Sequence, residues 1–378
     1  MNLTSCAFLT RFTRLALAGM CVFVAACSGP SRPKPADAAP VSVLQDVRTS
    51  WTAKLGAVNF PLVVSAQAGR VAVASSNGEV AVLDAKTGQD VWRLKLDQGI
   101  SAGVGNDGQQ VAVVTRENDL VVMQNGKVQW RQTLPAQSFT APLLAGARVF
   151  VLTADRSVLA FDGATGRKLW MQQRPGEPLV LQEAGVILPF KNTLLVGLSG
   201  RLAGLDPNTG AIRWESAIAT PRGTNDIERL VDLVGPYSRE GDVVCVRAFQ
   251  SQIGCVNAER GQSVWTHSSA GPQGISGNGQ LVIAGLANGV LQAWNRSNGE
   301  RVWDTDRLKY RILSAPLVTP RGILVADSGG YLYVLSLADG ALLNRVQVGG
   351  ELASAPVLAG ERYVVVTREG RVTGLQIP

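Results

Sequence analysis

The stretch Phe161-Asp162-Gly163-Ala164-Thr165-Gly166-Arg167-Lys168-Leu169-Trp170 decides the fold, because the chain keeps rewriting it. Leu83-Asp84-Ala85-Lys86-Thr87-Gly88-Gln89-Asp90-Val91-Trp92 repeats it closely, and so does Leu205-Asp206-Pro207-Asn208-Thr209-Gly210-Ala211-Ile212-Arg213-Trp214. Looser copies end at Trp265, at Trp303 and at Asn344, and a shortened one, Gln124-Asn125-Gly126-Lys127-Val128-Gln129-Trp130, lies between the first two. Each copy has the same physical content. A β-rich run ends at Asp or Asn, whose side chain bonds the turning backbone; Gly supplies positive φ; a second strand then carries Trp.

Registered on that last position, the copies fall at Trp51, Trp92, Trp130, Trp170, Trp214, Trp265, Trp303 and Asn344, at intervals of 41, 38, 40, 44, 51, 38 and 41 residues. Strand-turn-strand repeats with a period of about 40–45 residues are the signature of propeller blades of four strands each. Other pieces of a blade recur between the Trp positions. Ser314–Val318 and Ser354–Leu358 read as innermost strands, and hairpins turn at Asn77-Gly78, Asp155-Arg156, Ser199-Gly200, Asn288-Gly289, Gly329-Gly330 and Glu369-Gly370. Apolar runs such as Val111–Val114 and Leu281–Ala284 do not alternate with polar residues, as expected of strands sandwiched between neighbouring sheets. The Trp rings belong between blades, each burying about 150–250 Å².

Ahead of the first full repeat there is one strand, the Trp strand Val47–Ala53. After Asn344 there are three, Ala353–Leu358, Arg362–Thr367 and Arg371–Gln376. One plus three completes an eighth blade from both ends of the chain and leaves no open sheet edge between blades. The expected fold is therefore all-β, an eight-bladed propeller over residues 41–378, in a chain with 41 Gly, 46% hydrophobic and 17% charged residues.

Residues 1–26 read as an export signal. Arg11 and Arg14 form a basic flank, Leu15–Val24 an apolar core too short to span a bilayer, and Val24-Ala25-Ala26-Cys27 closes it. Small residues directly before Cys27 resemble the lipobox of bacterial lipoproteins, which makes Cys27 the expected lipidated residue; an ordinary cleaved signal is the alternative. Residues 27–40 are then a Pro-rich tether of about 40 Å reach at ~3.1 Å per residue. Net charge is +7, and without Arg11 and Arg14 the balance is 34 basic against 29 acidic residues. That suits acidic partner faces or anionic surfaces, and no basic run interleaved with aromatics suggests nucleic acid.

Cys245 and Cys255 flank a turn at Gln250-Ser251: a two-residue turn would point the sulfurs to opposite faces, whereas a three-residue loop would align them for a disulfide. His267 is the single histidine and has no nucleophile pattern beside it. Asp84, Asp162 and Asp206 recur at one turn position, which marks turn-building. No Gly-rich phosphate loop occurs. The expectation is a protein without catalysis, cofactor or metal.

Recognition should then sit where the repeat is broken. The two longest intervals, 44 and 51, are adjacent, and the extra residues fall between a Trp strand and the next inner strand, hence on one face. The insertions are Arg174–Glu183 and Ala219–Leu233. They offer Leu179, Leu181, Ile227 and Leu230 beside Asp226, Glu228, Arg229 and Asp232, an apolar centre with a charged rim.

With the signal, the tether, eight Trp-type repeats of the pyrroloquinoline-quinone-enzyme kind and the segment Thr224–Asp232, the chain resembles the BamB family of outer-membrane lipoproteins. The resemblance implies a non-catalytic scaffold at the periplasmic face of a Gram-negative outer membrane. It further implies docking of the two loops on a POTRA domain of BamA, the central protein of the β-barrel assembly (BAM) complex, with unfolded outer-membrane proteins as clients. The family's first loop carries Leu-x-Leu-Arg and reads Leu179-Val180-Leu181-Gln182 here; its second carries Asp-x-Asp and reads Asp232-Leu233-Val234. Gln182 and Val234 replace charged family residues. The rival readings are a quinone-dependent dehydrogenase, which resembles a longer chain with an adjacent Cys pair not found here, and a ligand-binding periplasmic propeller.

Overall fold

In each repeat the second and third strands are buried through their middles, and the fourth is not. Arg70–Ala74 and Glu79–Asp84 bury Val71 to Ala74 and Val80 to Leu83, whereas Asp90–Lys95 half-buries only Trp92 and Leu94. Continuous apolar runs form where a strand is covered on both faces, and alternation returns at the rim. The computed structural model describes residues 33–37, 46–174 and 179–378. The expected signal 1–26, Cys27 and the rest of the tether apart from residues 33–37 lie outside the described residues.

The described residues form eight four-stranded antiparallel sheets. Seven are simple meanders within residues 65–95, 100–133, 143–173, 187–217, 233–268, 275–305 and 317–347. The eighth joins Arg48–Lys54 to Arg371–Gln376, followed inward by Arg362–Val366 and Val357–Ala359. Leu55, Val71 and Val82 of the first repeat share one apolar cluster with Val364, Val366 and Val372 of the last, so the ring closes. The all-β, eight-bladed propeller expected from the repeat is the fold.

Two readings shift. The innermost strands expected at Ser314–Val318 and Ser354–Leu358 begin later, at Leu317–Thr319 and Val357–Ala359. Pro316 and Pro356 have no N–H to give the ladder. Ahead of Pro316 a side chain takes part instead: the Ala326 N–H donates to Ser314 Oγ at 3.1 Å while the Ser314 N–H donates to the Ala326 carbonyl at 2.8 Å. In the hairpin after Val243–Ala248 the loop is three residues, Phe249-Gln250-Ser251. Cys245 therefore pairs directly with Cys255, and the two form a disulfide.

The repeat's own signature builds the joints between blades. Asp84 Oδ1 accepts the Lys86 and Thr87 N–H groups at 3.0 and 2.8 Å, and Asp162 Oδ1 accepts those of Ala164 and Thr165 at 3.2 and 2.8 Å. The turn glycines then lie against the Trp ring of the preceding blade: Gly88 on Trp51, Gly126 on Trp92, Gly166 on Trp130, Gly210 on Trp170, Gly261 on Trp214, Gly299 on Trp265 and Gly340 on Trp303. The same turns present a carbonyl to the indole. Trp51 Nε1 donates to Ala85 at 3.0 Å, Trp130 to Gly163 at 2.9 Å, Trp170 to Pro207 at 3.0 Å, Trp265 to Arg296 at 2.7 Å and Trp303 to Leu337 at 3.0 Å.

Gly166 shows both demands at once: its φ is +73°, and a Cβ there would meet the Trp130 ring at 2.6 Å. Gly146, at φ +59°, has nothing within 4 Å of the same position. Gly146→Ala should therefore cost only the left-handed penalty of about 1–2 kcal/mol. Gly166→Ala adds overpacking of about 1–3 kcal/mol on top. Urea unfolding of the two variants checks this; equal midpoints would remove the wedge from the account.

Candidate functional site

The connection from a rim strand to the next inner strand returns across one face of the ring, and both insertions are connections of this kind. Residues 175–178 of the first lie outside the described residues. The remainder is held against the second insertion by an ion pair together with backbone hydrogen bonds. Arg156, at the hairpin turn of the preceding blade, donates from Nη1 to Asp232 Oδ1 at 2.9 Å and from Nη2 to the Leu179 carbonyl at 3.1 Å. The Leu181 N–H donates to Asp232 Oδ2 at 3.3 Å, and the Gly235 N–H to the Ala184 carbonyl at 2.8 Å. The insertions are thus neighbours on one face, as the interval pattern implied.

The ion pair is largely sheltered, with side-chain exposures of 9% for Arg156 and 18% for Asp232. Asp232 is therefore a positioning residue that fastens one loop to the other. Arg156 was missed in the sequence, although a signal was present. Its φ is +63°, at a turn position where other blades place Gly78, Gly200, Gly289, Gly330 and Gly370. A bulky residue kept where glycine is the natural choice points to a role for its side chain.

The second insertion folds on itself. Glu228 Oε2 accepts the Thr224 N–H at 2.9 Å while Asn225 Oδ1 accepts the Glu228 N–H at 2.9 Å, a reciprocal arrangement that closes one turn. The Thr224 N–H is the main reason the Glu228 carboxyl sits below the usual carboxylate range. The turn lifts Asp226, Ile227 and Arg229 into solvent, leaves Leu230 half-buried and buries Val231. Ile227 is 75% exposed and Leu179 40%. Between this loop and the disulfide-bonded hairpin at Phe249–Gln252 lies a cleft of about 560 Å³ lined by Ile227, Leu230, Val231 and Arg222.

Of the residues named from the sequence, Leu179, Asp226, Ile227 and Arg229 are exposed. Leu181 is half-buried beside the Arg156–Asp232 pair, where it lines a small cavity. Gln182 turns toward the ring axis, where with Glu183, Arg116, Gln137 and Phe139 it lines a cavity of about 430 Å³. His267 lies exposed on its rim strand, its ring centroid 5.4 Å from that of Trp265. Among the described residues no group of three or more His, Cys, Asp or Glu side chains could hold a metal ion.

The family model described as outer membrane protein assembly factor BamB matches residues 76–305 and 311–377. The chain belongs to the BamB family. The assembly factor BamB of Burkholderia pseudomallei is 33% identical over 371 residues, covering 96% of this chain and 97% of that protein. The BamB of Bordetella pertussis is 32% identical over 363 residues, covering 94% and 93%. Among solved structures, BamB from Moraxella catarrhalis superposes with a TM-score of 0.80 at 22% identity, covering 88% of this chain and all of that one. A quinohemoprotein alcohol dehydrogenase from Comamonas testosteroni superposes at 0.69 with 13% identity, covering 94% and 82%, a likeness of fold alone.

Removing the clamp should loosen the BamB-type loops without opening the ring. Arg156→Ala leaves Asp232 without its cation and the Leu179 carbonyl without that donor, a loss of about 1–3 kcal/mol felt locally. Hydrogen exchange followed by mass spectrometry should show peptides spanning 179–184 and 230–235 exchanging faster, with the blade strands unchanged. Unaltered exchange in both peptides would deny Arg156 its positioning role.

Proposed function

We propose that this chain is a non-catalytic scaffold of the outer-membrane β-barrel assembly machinery, anchored in the outer membrane on its periplasmic side. Its two insertion loops dock on a POTRA domain of BamA, and the ring assists delivery and insertion of nascent outer-membrane proteins. Residues 1–26 act as the signal, Cys27 carries the lipid and residues 27–40 the tether, on the strength of the small-residue run before Cys27 and the Pro-rich segment after it. The family membership and the relatives' description as assembly factors support the scaffold role.

One observation carries the docking surface: two neighbouring loops fastened by Arg156 and Asp232, with Ile227 and Leu179 left bare. Scattered exposed apolar residues are ordinary on a protein surface. A large aliphatic side chain three-quarters exposed at the tip of a loop that is braced by its own hydrogen bonds is better suited to burial in a partner. Roles divide accordingly. Leu179, Ile227 and Leu230 form the apolar centre, Asp226 and Arg229 the rim, and Asp232, Glu228 and Leu181 hold the loops in place. Gln182, which stands where the family carries arginine, faces the axial cavity, so an apolar contact takes the place of a charge pair there.

Leu179→Asp combined with Ile227→Asp tests this while leaving the clamp intact. Co-purification with the barrel protein from detergent-solubilised envelopes should fall by about tenfold or more, the scale of losing interface anchors. The thermal midpoint should be nearly unchanged, because neither side chain supports the ring. Undiminished co-purification would remove these loops from the interface.

A further inference from the structure

Outside the insertion loops, Ala36 precedes the first strand, Arg48–Lys54, and both of its backbone polar groups are satisfied by the ring. The Ala36 N–H donates to the Lys309 carbonyl at 2.9 Å, and Arg311 Nη2 donates to the Ala36 carbonyl at 2.8 Å. Lys309 and Arg311 belong to residues 306–316, which connect a rim strand to the next inner strand and so lie on the same face as the insertions.

The receiving site is built in advance. Arg311 Nη1 donates to Asp327 Oδ2 at 2.7 Å, and Asp327 is only 2% exposed. Asp327 also accepts the Tyr333 hydroxyl at 2.8 Å and the Tyr331 N–H at 3.0 Å, and the Arg311 guanidinium lies 5.8 Å from the Tyr333 ring centroid. Tyr310 holds a left-handed φ of +63° while its N–H donates to the Asn288 carbonyl. A bulky residue keeps that conformation only where its surroundings impose it. A fixed acceptor and a fixed donor, one residue apart from a positive-φ turn, recognise one unit of extended backbone at little cost in side-chain order. The incoming segment is suited to this: Pro33 and Pro35 bias it toward an extended course before it arrives.

We propose that the Lys309–Arg311 turn is a docking site for the chain's own Pro-rich tether, held through the backbone of Ala36. The consequence for the anchor rests on the lipidated reading of Cys27 given above. A tether free from Cys27 to Val47 spans about 60 Å at ~3.1 Å per residue, whereas one held at Ala36 spans about 28 Å. Docking would then halve the reach of the tether. The interaction reads backbone alone, so it depends on the N–H of residue 36 and on Arg311 rather than on the tether's side chains.

The test is disulfide trapping in the full-length chain, both lipidated and as Cys27→Ser. The pair Asp37→Cys with Lys309→Cys should cross-link about tenfold faster than Asp37→Cys with Asp242→Cys, whose partner lies at a turn on the opposite face. Ala36→Pro removes the donor and puts a ring carbon in its place while leaving the ring's own residues unchanged, so it should slow the first pair by about tenfold or more, the scale of one lost hydrogen bond. Equal rates for the two pairs, or no effect of Ala36→Pro, would overturn the docking. Because trapping in Cys27→Ser needs no lipid, failure of the anchor reading would show separately, as a wild-type chain that carries no acyl group yet still cross-links.

Discussion

The structure depends on the contact between a Trp ring of one blade and the Asx-Gly turn of the next. A propeller blade is a twisted sheet that buries little on its own, so stability comes from stacking neighbours. Here the ring of Trp130 lies on Gly166, and its N–H reaches the Gly163 carbonyl. Ring burial of about 150–250 Å² is worth roughly 4–6 kcal/mol by area, and the hydrogen bond about 0.5–1.5 kcal/mol. The turn must curl back to present that carbonyl, which requires both the Asp acceptor and a residue without a side chain under the ring. The motif conserved within this one chain is thus a description of an interface rather than of a strand.

The same contact separates structure from recognition. The turns that meet the Trp rings all lie on one face, and their acids are occupied: the Thr87 N–H and hydroxyl hold Asp84 below the usual carboxylate range, and the Thr165 hydroxyl and N–H do the same for Asp162. Those carboxylates contribute stability above their unfolded value near 3.8, lost as the pH falls through the lower folded values. The opposite face carries the connections from rim to axis, whose length the joint does not constrain. It is there that the two insertions, the axial cavity and the Lys309–Arg311 turn gather.

Much of this was legible because the repeat is periodic and its chemistry is local. The spacing from Trp51 to Asn344 gave the blade count, the surplus in two adjacent intervals gave the position of the loops, and the asymmetry of strands at the two ends gave the closure. What escaped depends on distances that sequence does not carry. Asp232 reads as a rim charge until Arg156, 76 residues away, is found holding it. Glu228 reads the same way until it is seen bonded to Thr224, four residues away. The Cys245–Cys255 bridge turned on whether a hairpin loop holds two residues or three, and Gln182 on a loop path toward the axis.

The central claim is that one face of the ring is consumed by blade joints and the other is free for a partner. A photo-reactive amino acid placed at Ile227, or at Thr165 on the joint-bearing face, tests it in intact cells. The account predicts a cross-link to the barrel protein from position 227 and none from position 165. Cross-linking from position 165, with silence at 227, would contradict it.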